Sequence, residues 1–413
     1  MVVYVDDLLY AGRDAQQFWK DVLIMGYKLK GVGPPDYHLG ATFKRESDPE
    51  KCMTWGPVRY IQKILDQYER IFGKPVKNSR KIHAPLEPGD HPELDVIEFC
   101  DDEDHAKYMS MVGCLQWAFS LGRMDIGTAT MTMSRLRVKA RLGHLARLKR
   151  ICSYLKHFKN SSIKFNTKIP DYSHFDKQWS EPEWGEFYGD GAESYKDPKL
   201  PEPKGEHIVM TTYVDENLLQ DYIKGRSCTG IIHMFNKTAM DWFSKLQANV
   251  ETATYGSEFT ALRTAVDQIH DLCYTARSLG VPIMGPTYLF GDNLSTVISL
   301  AKSDGKIAKR WNILSFHRVR EAVAHGIVRP FHINGKDNPA DVLSKHTSSK
   351  VWYELMRPLI FWRATDNSGS VTSRGEGSIN VSPPSVNSTN VKEENIQVNH
   401  VLTLRFSDVD RTT

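Results

Sequence analysis

TATYGSEFTALRTAVDQIHDLCYTARSLG, residues 252–280, decides the fold of the second half of this chain. Tyr255, Phe259, Leu262, Val266, Ile269, Cys273 and Ala276 recur at spacings of four and three, the signature of one helical face, and Gly280 closes the pattern. Such a stripe needs a partner surface, and the flanking segments read as strands. Upstream, HIVMTTYVDENL (207–218), GRSCTGIIHMF (225–235) and TAMDWFSK (238–245) predict three strands, with Gly225 and Gly230 marking turns. Downstream, TYLFGDN (287–293) predicts a strand, RWNILSFHRVREAVAHG (310–326) a helix and IVRPFHI (327–333) another strand. In KDNPADVLSK (336–345), Asn338 is the expected N-cap, Pro339 the first helical residue and Asp341 a first-turn acid. The second domain therefore runs from 207 to 362 as an α/β unit.

Residues 1–165 alternate apolar strands with amphipathic helices. VVYVDDLLYAG (2–12) reads as two short strands flanking Asp6-Asp7. The next segment offers Phe18, Val22 and Met25 at helical spacing. Ile61, Ile64, Leu65 and Tyr68 repeat the pattern, with Gly73 as a stop. Residues 84–106 read as a polar loop, and helices are expected within 111–122 and 142–158. Residues 166–206 show little periodicity and read as a linker. Residues 363–413, rich in Ser, Asn, Thr and Gly, read as a disordered tail.

Composition narrows the class. The 413 residues are 40% hydrophobic and 25% charged, with a net charge of +3, as expected for globular domains. Six scattered cysteines show no zinc-ligand spacing. No secretory signal and no bilayer-length apolar run is present, so a soluble, intracellular protein is expected.

Four acids stand out in the second domain: Asp215 on a strand, Glu258 at a helix start, Asp292 at a strand end and Asp341 at a helix start. Taken singly, each has an ordinary explanation, as a turn residue, an exposed helix residue or a favourable helix N-terminal charge. Their order within an alternating strand–helix pattern argues instead for convergence. Converging carboxylates raise one another's pKa and call for cations. Oxygen ligands suit Mg²⁺ or Mn²⁺, and two such ions would clamp the attacking and leaving oxygens of a phosphodiester.

These segments carry a family resemblance. YVDENL, GRSCTG and DWFSKLQANVETATYGSEFTAL resemble the ribonuclease H domain of copia-type LTR retrotransposon polyproteins, as do FGDN and SFHRVREAVAHGIVRPFHINGKDNPADVLSK. In that family, acids matching Asp215, Glu258, Asp292 and Asp341 bind two metal ions. Upstream, YVDDLLYAG resembles the family's polymerase catalytic turn. YHLGATFKRE, YIQKILDQY and MVGCLQWAFSLGRMDIGTAT resemble segments between palm and ribonuclease H. The resemblance implies an α/β (α+β) chain: a partial reverse transcriptase (1–165), a linker (166–206), a ribonuclease H-like mixed-sheet domain (207–362) and a tail. Its implied chemistry is two-metal hydrolysis of the RNA strand of an RNA–DNA hybrid, with Glu258 or Asp341 orienting water. The implied location is a cytoplasmic virus-like particle or the nucleus.

Polymerase chemistry would need a palm-strand aspartate besides Asp6 and Asp7, so templated synthesis by this chain alone is not expected. Departures from the family pattern are Asn217, where a second acid is usual, and the Tyr-Gly-Ser-Glu-Phe setting of Glu258. His332 lies on the strand side of a short loop, where a satisfied strand histidine is favoured over the product-release histidine of cellular ribonucleases H. Alternatives are a non-catalytic nucleic-acid-binding remnant, or an integrase, which would need a different acidic spacing.

SRLRVKARLGHLARLKRICSYLKHFK (134–159) carries Arg135, Arg137, Lys139, Arg141, Arg147, Lys149, Arg150, Lys156 and Lys159 and no acid. Beside the apolar stripe of Leu145, Leu148, Ile151 and Leu155, this predicts a helix tracking duplex phosphates rather than a merely solvated face.

Overall fold

The computed structural model describes residues 2–4, 7–11, 15–26, 30–46, 52–77, 82–184, 187–188, 199–305, 307, 312–361 and 401–405. At the N-terminus, β1 (Val2–Tyr4) and β2 (Asp7–Ala11) pair antiparallel, with Tyr4 opposite Asp7. Asp6 lies outside the described residues, and of Asp7 only its place at the start of β2 is described. Helix α1 (Ala15–Ile24) buries Trp19, whereas Met25, expected on its apolar face, falls past the helix end and is exposed. Strand β3 (Lys30–Gly33) completes this sheet together with β14 (Val401–Arg405), in the order β1-β2-β14-β3. That strand departs from the disordered tail expected over 363–413. Its Val401-Leu402-Thr403-Leu404 run suits a strand, and the rest of the tail lies outside the described residues.

A second sheet has the order β13-β7-β6-β5-β4. Its strands are β4 (Tyr37–His38), β5 (Ala41–Arg45), β6 (Met53–Gly56), β7 (Ser162–Phe165) and β13 (Ile360–Phe361). Around it pack α2 (Val58–Phe72), α3 (Asp102–Ser120), α4 (Gly127–Arg135) and α5 (Leu142–His157). Helix α2 buries Ile61, Ile64, Leu65 and Tyr68, the residues its period singles out, and ends at Gly73 with φ 65°. The core around these helices also takes in Trp352, Leu355 and Met356 of α11 (Ser349–Met356), and Ile360. The C-terminal edge of the expected second domain is thus packed into the first.

The third sheet, in the order β10-β9-β8-β11-β12, comprises β8 (Ile208–Asp221), β9 (Arg226–Phe235), β10 (Thr238–Leu246), β11 (Ile283–Gly291) and β12 (Val328–His332). The first three form an antiparallel meander; β11 runs parallel to both β8 and β12. This is a mixed sheet of the kind the resemblance implies. Gly225 makes the expected turn at φ 61°, but Gly230 lies within β9, opposite Asp215.

Helix α7 (Thr254–Ser278) lays Phe259, Leu262, Val266 and Ile269 on Met210, Val214, Ile231, Leu289 and Val328 of the sheet. Phe316, Val319 and Val323 of α9 (Ile313–Ala324) join the same core, and α8 (Leu294–Leu300) follows β11. Each buried Leu, Ile, Val or Phe contributes roughly 1.5–3 kcal/mol, which outweighs the few tenths lost to the modest helix propensity of Val266 or Ile269.

The opposite face of the sheet is covered twice. Ile232 and Met234 of β9 enter the core of the first block. Beside them, residues expected to be linker pack on β11 and β12. Phe175, in the short helix α6 (Ser173–Asp176), lies 5.0 Å from Phe290 and 5.2 Å from Phe331 between ring centroids; Trp179 lies 5.7 Å from Phe331. Tyr288 Oη donates to Asp176 at 2.8 Å. These aromatics are irregularly spaced, so no period announces them.

Candidate metal centre

Strand alternation sends Val214 and Glu216 toward α7 and Asp215 to the opposite face. Because Phe290 pairs with Tyr213 in the parallel β8–β11 ladder, Asp292, two residues on, comes level with Asp215. Asp341 opens α10 (Asp341–Ser344), which packs against β8 and β9. Two features bring it close. A Cβ on Gly230 would stand 2.5 Å from the Ala340 carbonyl oxygen, so only glycine admits this backbone. Asn338 Nδ2 donates to the Val214 carbonyl at 2.8 Å, while its Oδ1 accepts from Ala340 N at 3.1 Å. Asn338 therefore pins the loop to β8 instead of serving as N-cap, a position held by Ala340.

The outcome is a triad: carboxylate oxygens of Asp215, Asp292 and Asp341 lie within 4.8 Å of one another. Asp215 is fully buried and accepts a hydrogen bond from Ser344 Oγ. Lys345 Nζ stands 2.8 Å from Asp341 and 3.5 Å from Asp215. Burial drives the Asp215 carboxyl well above the usual range; Asp341 and Asp292 push it further, against Lys345 and Ser344. Burial likewise raises Asp292, opposed chiefly by Lys345.

Glu258, the fourth expected ligand, is not in the triad. It sits buried in the first turns of α7, the helix on the Val214 and Glu216 side of β8, and its carboxylate falls outside the mutual 4.8 Å reach of the three aspartates. It remains in the same field: burial first, then Asp215, Glu216 and Asp292, hold its carboxyl well above normal. Glu216, singled out by no motif, shares that side and is pushed to about 7, mainly by burial. Lys345 belongs to the same site, and its i+4 spacing from Asp341 announces a pair on one helical turn. His332 ends β12, its Nε2 3.1 Å from the Asp292 backbone oxygen.

The basic helix is arranged otherwise than expected. Residues 84–101 fold back along α5 and bring acids with them. Arg147 is chelated by Asp90 (2.8 Å) and Asp95 (2.6 Å), and Arg150 pairs with Glu87 at 2.5 Å. Arg141 donates to the Ile97 carbonyl and lies 3.9 Å over the Phe99 ring. Lys149 lies over Phe72, Lys156 donates to the Val76 carbonyl and Lys159 to Gln62. Arg135 binds Thr132 and lies 3.8 Å from Asp221. Much of the one-signed stripe is thus committed to the protein's own loops. Arg137 and Lys139, in the turn before α5, are exposed.

Comparison with known proteins bears on the whole chain. No family model matches it. Over 363 residues it is 24% identical to the retrovirus-related Pol polyprotein from transposon TNT 1-94 of Nicotiana tabacum, covering 87% of this chain and 24% of that one. Over 350 residues it is 25% identical to the retrovirus-related Pol polyprotein from transposon RE1 of Arabidopsis thaliana, covering 84% and 20%. The chain is similar to retrotransposon Pol polyproteins along most of its length. It spans about a quarter or less of the length of these Pol relatives. Among solved structures, the N-terminal RNase H domain of rv2228c from Mycobacterium tuberculosis matches at 11% identity and a TM-score of 0.26, over 36% of this chain and 97% of that one. A score this low carries no argument about the site. Among the described residues, no helix is long and apolar enough to cross a membrane.

Proposed function

We propose that this Pol-related chain hydrolyses the RNA strand of an RNA–DNA hybrid with the help of two Mg²⁺ or Mn²⁺ ions. The observation that carries this reading is the triad: three carboxylates drawn within 4.8 Å, one of them fully buried and all oxygen donors. Such a set suits a hard divalent cation, and burial raises the carboxyls of Asp215 and Asp292, which a bound cation would relieve. Asp215, Asp292 and Asp341 would hold the ions. Two bound ions supply charge neutralisation at the attacking and leaving oxygens of a phosphodiester. Glu258, buried beside the three aspartates, would be the fourth ligand, and Glu258 or Asp341 would help to orient the attacking water. Hybrid would be chosen by its shape and 2′-hydroxyls rather than by sequence. The Asp6-Asp7 turn has no part in this reaction.

The test uses the whole chain with labelled hybrid and either cation. Asp292→Asn should cost orders of magnitude in cleavage rate while the melting temperature of the metal-free protein is kept. Equal cleavage by wild type and variant would remove the triad from the chemistry.

A further inference from the structure

Lys345 occupies an unusual position for an ammonium group. It lies on the turn following Asp341, in contact with two members of the triad. Among the described residues it is the one basic side chain ion-paired with either Asp215 or Asp341. The surrounding charge is strongly one-sided, with Asp215, Asp292 and Asp341 in mutual reach and Glu216 and Glu258 buried close by. His332 meets only the backbone oxygen of Asp292. The Lys345 side chain is one-third exposed, so its flexible stem has an open route to solvent.

We infer that Lys345 is a resident counter-ion of the carboxylate triad, which a divalent cation must displace in order to bind. An ammonium and a divalent ion cannot both stay within contact distance of the same carboxylate oxygens without strong mutual repulsion. Metal uptake and withdrawal of Lys345 are then one coupled event. The lysine stabilises the metal-free protein and weakens its affinity for metal. A purely structural ion pair has the opposite signature, since its loss would loosen the site and leave metal uptake unchanged or poorer.

This inference rests on the metal-site reading above, and the experiment separates the two. Mn²⁺ binding to the whole chain is titrated calorimetrically for wild type, Lys345→Met, Lys345→Arg and Asp292→Asn. Lys345→Met should bind Mn²⁺ more tightly by roughly fivefold, the scale of one partly exposed ion pair. It should also melt lower without metal and recover when saturated. Lys345→Arg, which keeps the charge, should stay close to wild type in both. A second measurement needs no variant: acetic anhydride labelling of Lys345 in wild type, read by peptide mass spectrometry, should rise several-fold when Mg²⁺ is added. If wild type binds Mn²⁺ through Asp292 but Lys345→Met binds no tighter, or labelling is indifferent to Mg²⁺, the counter-ion role alone is overturned. If wild type takes up no Mn²⁺ that depends on Asp292, the metal-site reading falls and this inference falls with it.

Discussion

Gly230 faces Asp215 across the β8–β9 ladder, and the missing side chain is what lets α10 approach. In Gly230→Ala the new Cβ would meet the Ala340 carbonyl at 2.5 Å and the Leu343–Ser344 backbone at 2.9 Å, atoms that cannot rotate away. A loss of roughly 1–3 kcal/mol is expected, as for other overpacked sites, with weaker Mn²⁺ uptake because Asp341 moves with the helix. Wild-type denaturation and metal binding in this variant would show that α10 is not held by this contact. His346, next to Lys345, offers a pH test. Burial, aided by Arg135 and opposed by Asp90, holds its ring near 4 instead of 6.5. The unfolded chain therefore binds the extra proton first. This contribution to stability is complete above about pH 6.5 and is lost as pH falls toward 4, amounting to roughly 2–3 kcal/mol. His346→Gln should flatten the stability profile over that window in urea titrations; an unaltered slope would mean that other groups govern it.

Helix α5 shows how an element can carry one meaning in its composition and another in its packing. Its arginines are bound by a loop whose acids, Glu87, Asp90 and Asp95, lie some fifty to sixty residues earlier in the chain. Arg147→Gln leaves Asp90 and Asp95 unpaired and should cost roughly 1–3 kcal/mol of stability. It should barely change the salt dependence of hybrid binding. Arg137→Gln/Lys139→Gln should do the reverse, flattening the slope of log K against log salt by up to about two units with stability kept. Anisotropy titrations across a salt series decide between them. A slope flattened as much by Arg147→Gln would return α5 to the role of phosphate track.

For the whole molecule, the mixed sheet of β8 to β12 is packed on both faces, by its own helices on one side and by the first block and the 172–179 segment on the other. The expected boundary near 362 is not a clean cut, since α11 and β13 complete the first core. A fragment of residues 207–361 would uncover Phe290 and Phe331, so it should melt below a fragment of residues 168–361. Both should melt below the intact chain, where Trp352 and Ile360 keep their partners. Equal melting temperatures for the two fragments in circular dichroism would show that the aromatic segment contributes nothing.

The periodic elements could be read along the chain because their information is local. The α7 stripe, the α2 face with its Gly73 stop and the meander of β8 to β10 each follow from side-chain period and turn residues. The acids Asp215, Asp292 and Asp341 were legible for a related reason, since they lie within a strand, just past a strand end and at a helix start, in the order of the Pol-like motifs. What only the tertiary structure decided depends on contacts between residues far apart in sequence. Helix docking leaves Glu258 buried next to the triad but outside its mutual 4.8 Å reach. Asp90 and Asp95 take Arg147 out of the exposed charge. Phe175 and Trp179 find packing partners only when β11 and β12 present Phe290 and Phe331. Gly230, which reads as a turn, proves to be the gap that admits α10. Composition states which charges and apolar groups exist, but close packing decides which of them meet.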